Sequence, residues 1–363
     1  IVDSDSGKID IINDDVKDTM IKQTIESAQN QQEGTGIQAS EDMTSIVSDI
    51  IVNTDTETGS KMIEELNNTE SESDLSLQVI SDISEKDTTK LNTLSENNKE
   101  QIEKLTETAI KNADASEESA QLIAKVVDKA NDEIANKVIN EVTKNSVDNK
   151  EALSAKVMKS IVSINPDKIE NLSDENKDTM IQQTIIAAKN QNENKDDESD
   201  DLADVIADII VEADVGTSGK LIQKLDNTEL KDESDLNLSI LEKLSNKELY
   251  EEKLEVISIR SKLNENSIKN FINKSIKNVE DEVKLEKITK IIDKSEGIVN
   301  ENIVESGEEN EETKKKVVKI ITKVIEKNPE KAIEILDKNK TSKKASKIIK
   351  SKIEKGEAVT IDD

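Results

Sequence analysis

The chain has 363 residues and a formal net charge of −30, with 36% charged and only 1% aromatic residues. It contains no cysteine and no histidine, which excludes disulfides and any chemistry that needs a thiolate or an imidazole. The sequence contains no run of 18 apolar residues, so it predicts no membrane-spanning helix. Its hydrophobic residues are mostly aliphatic, a composition that suits a thin helical stack better than a deep globular interior.

A long internal repeat organises the sequence. Two segments show it most clearly: residues 17–21 (KDTMI) recur at 177–181, and residues 49–52 (DIIV) recur at 208–211. A period of about 160 residues predicts stacked units that bury apolar faces against their neighbours. We predict three parts: a first long repeat over 1–159 that begins within a shorter unit, a second over 160–320, and a Lys-rich terminal helical unit and tail over 321–363.

The first predicted helix begins after Asn13, which is placed to cap it. Four apolar positions at helical spacing agree between the two copies: Met20/Met180, Ile21/Ile181, Ile25/Ile185 and Ala28/Ala188. We predict that these positions are buried. Ile186 and Ala187 are replaced by Glu26 and Ser27 in the first copy, so we predict that these positions face water.

Polar connections follow the copies of this helix. Residues 30–42 and 190–201 are both predicted to be extended loops. The next connection, 53–59, is rich in oxygen-bearing side chains, but its glycine falls at the seventh position where an EF-hand loop requires the sixth. Its copy, 212–216, lacks most of the possible ligands. The pattern therefore favours an acidic helix connection over a calcium site.

Helix starts and breaks recur along the chain. Ser95, Ser173 and Ser245 each precede polar or acidic residues and are predicted N-caps. Pro166 and Pro329 each follow an asparagine, a sequence that disfavours helical backbone before the proline and favours a new helix after it. We therefore predict that helices end and restart at both prolines.

Shorter units are visible within the long repeat. Apolar helix starts recur at spacings of about 30 to 48 residues. They lie near Ile46, Val79, Leu122, Val157, Val205, Ile240, Ile288 and Val318. One predicted helix, 152–164, has an apolar face made of Leu153, Val157, Ile161 and Ile164. Helices this short argue against one long coiled coil, and the repeated aliphatic faces argue against disorder.

The unit length and the Asn165–Pro166 and Asn328–Pro329 turns give the chain a resemblance to the HEAT and armadillo class of α-solenoids. The resemblance implies an all-α fold, a superhelical α-solenoid of stacked helical hairpins with about nine short units in a long period of about 160 residues. It covers the architecture along the whole chain and carries no functional residues.

Candidate sites for ligands are weak. Residues 216–221 have a partial likeness to a phosphate-binding loop, but Asp214 stands where the first glycine belongs and Leu221 follows the lysine. Asp3, Asp5 and Asp10 beside Gly7 favour an acidic surface over a cation site. We predict no catalytic, cofactor-binding or metal-binding residue and no enzymatic activity.

Charge separates the two ends of the chain. Residues 1–250 carry 56 acidic and 25 basic groups, whereas residues 314–355 carry 15 lysines and five acids. The acidic surface repels phosphate, and the Lys-rich stretch lacks arginine and stacking aromatics, so a nucleic-acid partner is not expected. Basic and acidic segments instead favour contact between copies.

The predicted function is a structural repeat segment of a long scaffold, filament or surface protein. Such a segment would associate with copies of itself or with further repeats of the same long chain. The alternative is an α-solenoid binding module for a protein or peptide partner. The composition suits a cell-surface or extracellular structure and a cytoplasmic scaffold equally, so the compartment stays open.

Overall fold

The computed structural model describes residues 12–34, 37–68, 75–144, 149–194, 202–227, 233–277, 279, 281–307, 311–338, 347, 350–352 and 355. All regular structure in these residues is helical. The chain divides into two compact units, Ile1–Thr184 and Ile185–Asp363, and the division falls within one helix, Asp174–Asn194.

In the described residues, ten helices precede the helix that contains this division. They are α1 (Asp14–Gly34), α2 (Ile37–Asn53), α3 (Thr56–Asn68), α4 (Leu75–Lys86), α5 (Thr88–Asn97), α6 (Lys99–Asn112), α7 (Glu117–Lys129), α8 (Asp132–Thr143), α9 (Lys150–Ile164) and α10 (Asp167–Asn171). The helix that contains the division is α11 (Asp174–Asn194).

The second unit continues with nine further helices in its described residues. They are α12 (Leu202–Glu212), α13 (Val215–Asn227), α14 (Glu233–Leu244), α15 (Tyr250–Arg260), α16 (Lys262–Ile276), α17 (Glu282–Lys294), α18 (Ile298–Ser306), α19 (Glu311–Lys327) and α20 (Pro329–Lys338).

Each unit is built in two layers of helices that pack on near neighbours in the sequence. In the first unit, α2, α4, α7 and α9 pack in succession, and α1, α3, α6 and α8 form the second layer. In the second unit, α12 packs on α14, α14 on α17 and α17 on α19, while α13, α15, α18 and α20 follow one another in the other layer. The core between the layers is aliphatic, with residues such as Ile51, Val79, Ile123 and Val157 wholly buried.

In the described residues the fold is therefore all-α, an α-solenoid of stacked helical hairpins, as the sequence predicted. Local sequence signals explain several helix boundaries. Ser116 accepts a hydrogen bond from the Ser119 amide and Asn131 accepts one from the Ile134 amide, each at 3.0 Å, which satisfies free donors at the starts of α7 and α8. Helices also restart after Pro166 and at Pro329, as predicted.

Helix order in the first part of the chain recurs in the second. α1 to α10 are followed by α11 to α20 with matching landmarks, including the Pro166 and Pro329 breaks before α10 and within the first turn of α20. The repeat boundaries at 1–159, 160–320 and 321–363 stay a prediction from the sequence.

The prediction that Met20 is buried is wrong. Met20 is 37% exposed, whereas its counterpart Met180 is 1% exposed. α8 and α9 contact the face of α11 that carries Met180. Ile21, Ile25 and Ala28 are buried as predicted.

Two other burial predictions are wrong. Ile164 is exposed, because α9 ends at this residue and the chain turns away at Asn165. Ala187 is buried although Ser27 takes its place in the first copy, and Ile186 is half-buried. α11 therefore buries a broader face than the comparison of the two copies indicated.

Some predicted boundaries are also wrong. Ser95 lies inside α5, which continues to Asn97, and Ser245 follows the end of α14, where its hydroxyl donates to the Glu242 carbonyl at 2.7 Å. Ser173 does cap α11, accepting from the Asn176 amide at 3.2 Å, and Asn13 accepts from the Asp15 amide at 3.0 Å.

The predicted loops are shorter than expected. α1 continues to Gly34 and α2 begins at Ile37, so most of 30–42 is helical, and α11 occupies residues 190–194 of the predicted loop 190–201. The remainder of that second loop lies outside the described residues.

Candidate interaction surface

An aspartate caps the same helix in each copy. The Asp55 carboxylate accepts from the Thr58 amide at 2.7 Å at the start of α3, and the Asp214 carboxylate accepts from the Thr217 amide at 3.0 Å at the start of α13. Asp214 also accepts from the Gly216 amide at 2.6 Å. Carboxylates at helix N-termini are stabilised by the free amides and by the helix dipole.

These caps account for the two connections that the sequence analysis considered as ligand loops. The predicted connection 53–59 is shorter than expected, because only Thr54 and Asp55 lie between α2 and α3 and residues 56–59 form the first turn of α3. Residues 216–221 lie within α13. The glycines of that stretch do not mark the helix boundary, since α13 begins at Val215. A Cβ at Gly219 would approach the Asn264 side chain to 3.1 Å, so the glycine permits close packing of α13 on α16.

Lysines join successive units at the same junction in both copies. The Lys86 ammonium lies 2.8 Å from the Asp49 carboxylate, and the corresponding Lys247 lies 2.6 Å from Asp208. Burial opposes the charge of Lys247, but the hydrogen bonds that its ammonium donates to Asp204 and Asp208 outweigh burial and raise the pKa of this lysine. The first ion pair joins α4 to α2. The second joins the connection between α14 and α15 to α12.

A second lysine of each copy closes the end of a helix. Lys90 donates to the Thr54 carbonyl and Lys253 donates to the Ala213 carbonyl, each just after the C-terminus of α2 or α12. A cation here satisfies a carbonyl and opposes the negative end of the helix dipole. Together the caps, ion pairs and lysine contacts have a structural role, holding consecutive hairpins in register.

Within the residues that the structure describes, no group of three acidic side chains is arranged to hold a metal ion. Asp3, Asp5 and Asp10 lie outside the described residues. The absence of catalytic and cofactor sites stays a prediction from the sequence.

An exposed aliphatic face distinguishes the second unit. Val256 and Ile259 of α15 and Leu263 at the start of α16 are 46%, 83% and 58% exposed, and we call these three residues the α15 surface. Val256 and Ile259 are three residues apart and so share one face of the helix. The opposite side of α15 is buried in the stack through Leu254 and Ile257.

The first copy has the same buried residues but a polar outer face. Residues 90–99 (KLNTLSENNK) align with 253–262 (KLEVISIRSK), so that buried Leu91 and Leu94 match Leu254 and Ile257. In this alignment, the α15 surface is replaced by Thr93, Glu96 and Glu100. Hydrophobic spacing within α15 does not by itself predict the α15 surface, whereas the difference between the two copies at these three positions does.

An open cleft of about 640 Å³ lies at the other end of α15. Its walls carry the exposed Leu249 and five glutamates, Glu251, Glu252, Glu255, Glu296 and Glu301. We call it the acidic cleft. Lys247 and Lys294 also line it, but Lys247 is engaged by Asp208 and Lys294 donates to Asn246, so carboxylates dominate the open space.

The wall of the acidic cleft is held by specific hydrogen bonds. The Glu251 carboxylate accepts from the amides of Glu296 and Gly297 at 2.8 and 2.7 Å, which fixes the start of α18 against α15. Beneath it, Tyr250 and Ser295 share a hydrogen bond at 2.5 Å. Burial raises the pKa of the Tyr250 hydroxyl.

Comparison with protein-family models gives no match, and comparison with curated protein sequences gives none. Among solved structures, the chain is similar to the RNA-binding domain of yeast Puf5p bound to MFA2 RNA, at 12% identity and a TM-score of 0.34, covering 94% of this chain and 95% of that chain. It is also similar to a computationally designed self-assembling cyclic homooligomer, at 15% identity and a TM-score of 0.13, covering 98% of this chain and 100% of that chain.

With TM-scores this low, neither similarity decides the function or the partners. The RNA-binding neighbour gives no support to the prediction that nucleic acid is not a partner, and that prediction rests on charge alone. The helix packing defines the class of protein as an α-solenoid. Among the described helices, none has the length and apolarity needed to cross a bilayer.

Proposed function

We propose that the chain is a structural repeat segment of a long scaffold, filament or surface protein, and that it associates with copies of itself or with further repeats. The observation that carries this proposal is the different exposure of the same helix face in α1 and α11. Val16 and Met20 are exposed on α1, whereas their counterparts Asn176 and Met180 are buried on α11.

Contacts with the preceding hairpin account for the burial on α11. The side-chain amide of Asn176 donates to the Asn136 backbone carbonyl at 2.9 Å, and the side-chain amide of Gln183 donates to the Thr143 backbone carbonyl at 2.9 Å. The Thr184 hydroxyl lies 4.0 Å from the Met158 sulfur. The face is therefore complementary to a helical hairpin such as α8–α9, and a second copy or a further repeat would cover the same face on α1.

Sedimentation velocity of the whole chain at low and high salt tests the proposal. We expect association at micromolar concentration that weakens as salt rises, because exposed charges are screened over about 8–10 Å. Contacts between apolar faces should persist at high salt. A single monomeric species in both conditions would remove self-association from the proposed function.

The alternative function, a binding module for a protein or peptide partner, is favoured by the acidic cleft. Its glutamates would attract a basic peptide, and binding would weaken with salt. Isothermal titration of the whole chain with a lysine-rich and a glutamate-rich peptide distinguishes this alternative, which requires that only the lysine-rich peptide binds. No catalytic role forms part of either proposal.

A further inference from the structure

The α15 surface is not needed to build the solenoid. The first copy places Thr93, Glu96 and Glu100 at the same positions and still buries Leu91 and Leu94 beneath them. Aliphatic side chains that the fold does not require, gathered on one solvent-facing side, indicate a surface that another molecule covers.

The exposed cations Arg260 and Lys262 flank the α15 surface on one side, and Lys262 pairs with Glu265, whereas the side towards the acidic cleft is negative. Glu252 and Glu255 are exposed on α15 itself, and Glu296 and Glu301 extend the negative charge across the acidic cleft. A ligand that covers both the α15 surface and the acidic cleft must therefore combine aliphatic side chains with several cations. The opposite arrangement, an acidic ligand, would place like charges together.

The chain itself contains a segment of that chemistry. Lys347, Lys350 and Lys355 lie in helical backbone with exposed side chains. Ile348, Ile349 and Ile353 stand between them in the sequence, and 314–355 as a whole has 15 lysines and five acids. Lysine and isoleucine without aromatic residues match a surface made of valine, isoleucine, leucine and glutamate.

We propose that the Lys-rich segment 343–355 of a second copy docks on the α15 surface and the adjacent acidic cleft. The inference rests on the proposed self-association and supplies its lateral contact, whereas the exposed face of α1 supplies an end contact. Isoleucines of one copy bury the α15 surface of the other, and lysines of the segment pair with the glutamates of the cleft.

Replacing the α15 surface with the residues of the first copy tests the apolar part. The variant Val256→Thr, Ile259→Glu, Leu263→Glu should fold, because the first copy carries these residues at the same positions. We expect its self-association to be at least about tenfold weaker than that of the unaltered chain, which corresponds to 1.4 kcal/mol. The control Val283→Glu changes another exposed aliphatic residue of the same unit and should leave association unchanged.

Site-specific cross-linking identifies the occupant. Because the chain has no cysteine, one chain can carry Ile259→Cys and another Lys350→Cys, and a short bismaleimide can react only at these two positions. An affinity tag on one of the two chains distinguishes the heterodimer from dimers of a single variant. We expect a cross-linked heterodimer from the mixture and much less from Val283→Cys mixed with Lys350→Cys. If the mixture stays uncrosslinked while a chain carrying both Ile259→Cys and Lys350→Cys cross-links within itself, the segment covers its own chain and the proposal is overturned.

The outcomes separate this inference from the proposed function. Association that is unaffected by the triple variant, with no heterodimer in the cross-linking mixture, overturns docking on the α15 surface and leaves self-association standing. A chain that stays monomeric at every salt concentration removes both. Loss of association in the triple variant together with the heterodimer supports both.

Discussion

Individual side chains on α11 show where burial, and not hydrophobicity alone, determines stability. Ile185 is buried, while the adjacent Ile186 is half-buried and corresponds to Glu26 in the first copy. Truncating a buried isoleucine removes transfer free energy and leaves a cavity, whereas a half-buried position can turn a polar group towards water.

We therefore expect Ile185→Ala to lower the free energy of unfolding by about 2–5 kcal/mol and Ile186→Glu to have a much smaller effect. Denaturant melts of both variants, followed by circular dichroism, measure the difference. Equal losses would mean that the buried face of α11 has been assigned wrongly.

A carboxyl group before α7 links stability to pH. Hydrogen bonds from Ser116 and Ser119 hold the pKa of Asp114 below its ordinary value of 3.8, against the opposing effect of burial. A carboxyl group with a lowered pKa in the folded state adds stability above its ordinary pKa and loses that contribution as the pH falls.

Consequently, the unaltered chain should lose stability relative to Asp114→Asn as the pH falls below about 4, since the asparagine does not titrate. Thermal melts of the two proteins between pH 6 and 3 provide the measurement. Parallel pH profiles would show that the hydrogen bonds to Asp114 do not favour its charged form.

Among the helices, the lysine contacts explain how neighbouring hairpins stay in register. Lys247 lies 2.8 Å from Asp204 and 2.6 Å from Asp208, so one ammonium compensates two carboxylates on α12. Lys262 offers a matched comparison, because it is more exposed and pairs only with Glu265 three residues away.

We expect Lys247→Met to cost about 0.5–1 kcal/mol and to leave two repelling aspartates, with the cost reduced at high salt. Lys262→Met should have no measurable effect. Denaturant melts at 0.05 and 1 M salt measure the two costs. Equal stability of the unaltered chain and Lys247→Met at low salt would show that the ion pairs of Lys247 do not stabilise the fold.

The sequence predicted helices better than it predicted their exposure. The spacing of Ile21, Ile25 and Ala28 was sufficient to place a buried face, because an amphipathic pattern is local information. The prediction for Met20 was wrong because burial at this position depends on a helical hairpin packed against the helix. The spacing of apolar residues within one helix carries no information on that hairpin. The predicted caps at Ser95 and Ser245 are wrong for different reasons. α5 continues through Ser95, and the Ser245 hydroxyl donates to the Glu242 carbonyl of the preceding helix, while the next helix begins only at Tyr250.

At the scale of the whole chain, the repeat makes a direct prediction. The two long copies, residues 1–159 and 160–320, should superpose with matching helices at least through α1–α3 in the first copy and α11–α13 in the second. An experimental structure tests this, and helices out of order between the copies would contradict the repeat.

The candidate surfaces were less accessible to sequence reasoning than the architecture. The two copies differ on the outer face of this helix, where Thr93, Glu96 and Glu100 correspond to Val256, Ile259 and Leu263. This difference becomes informative only when the buried residues beneath have been matched. The acidic cleft required the packing of α18 against α15, which brings Glu296 beside Glu251 across about 45 residues of chain.

The junction lysines have a mechanical consequence. Lys90 and Lys253 each bond to a carbonyl of an earlier hairpin, so each hairpin is held chiefly by those next to it in the sequence. A protein with such local connections need not yield all at once when its ends are pulled, since one hairpin can detach while the others remain folded. The chain should therefore lengthen under load in a series of small steps and shorten again when the load is removed, behaving as a reversible extensible tether.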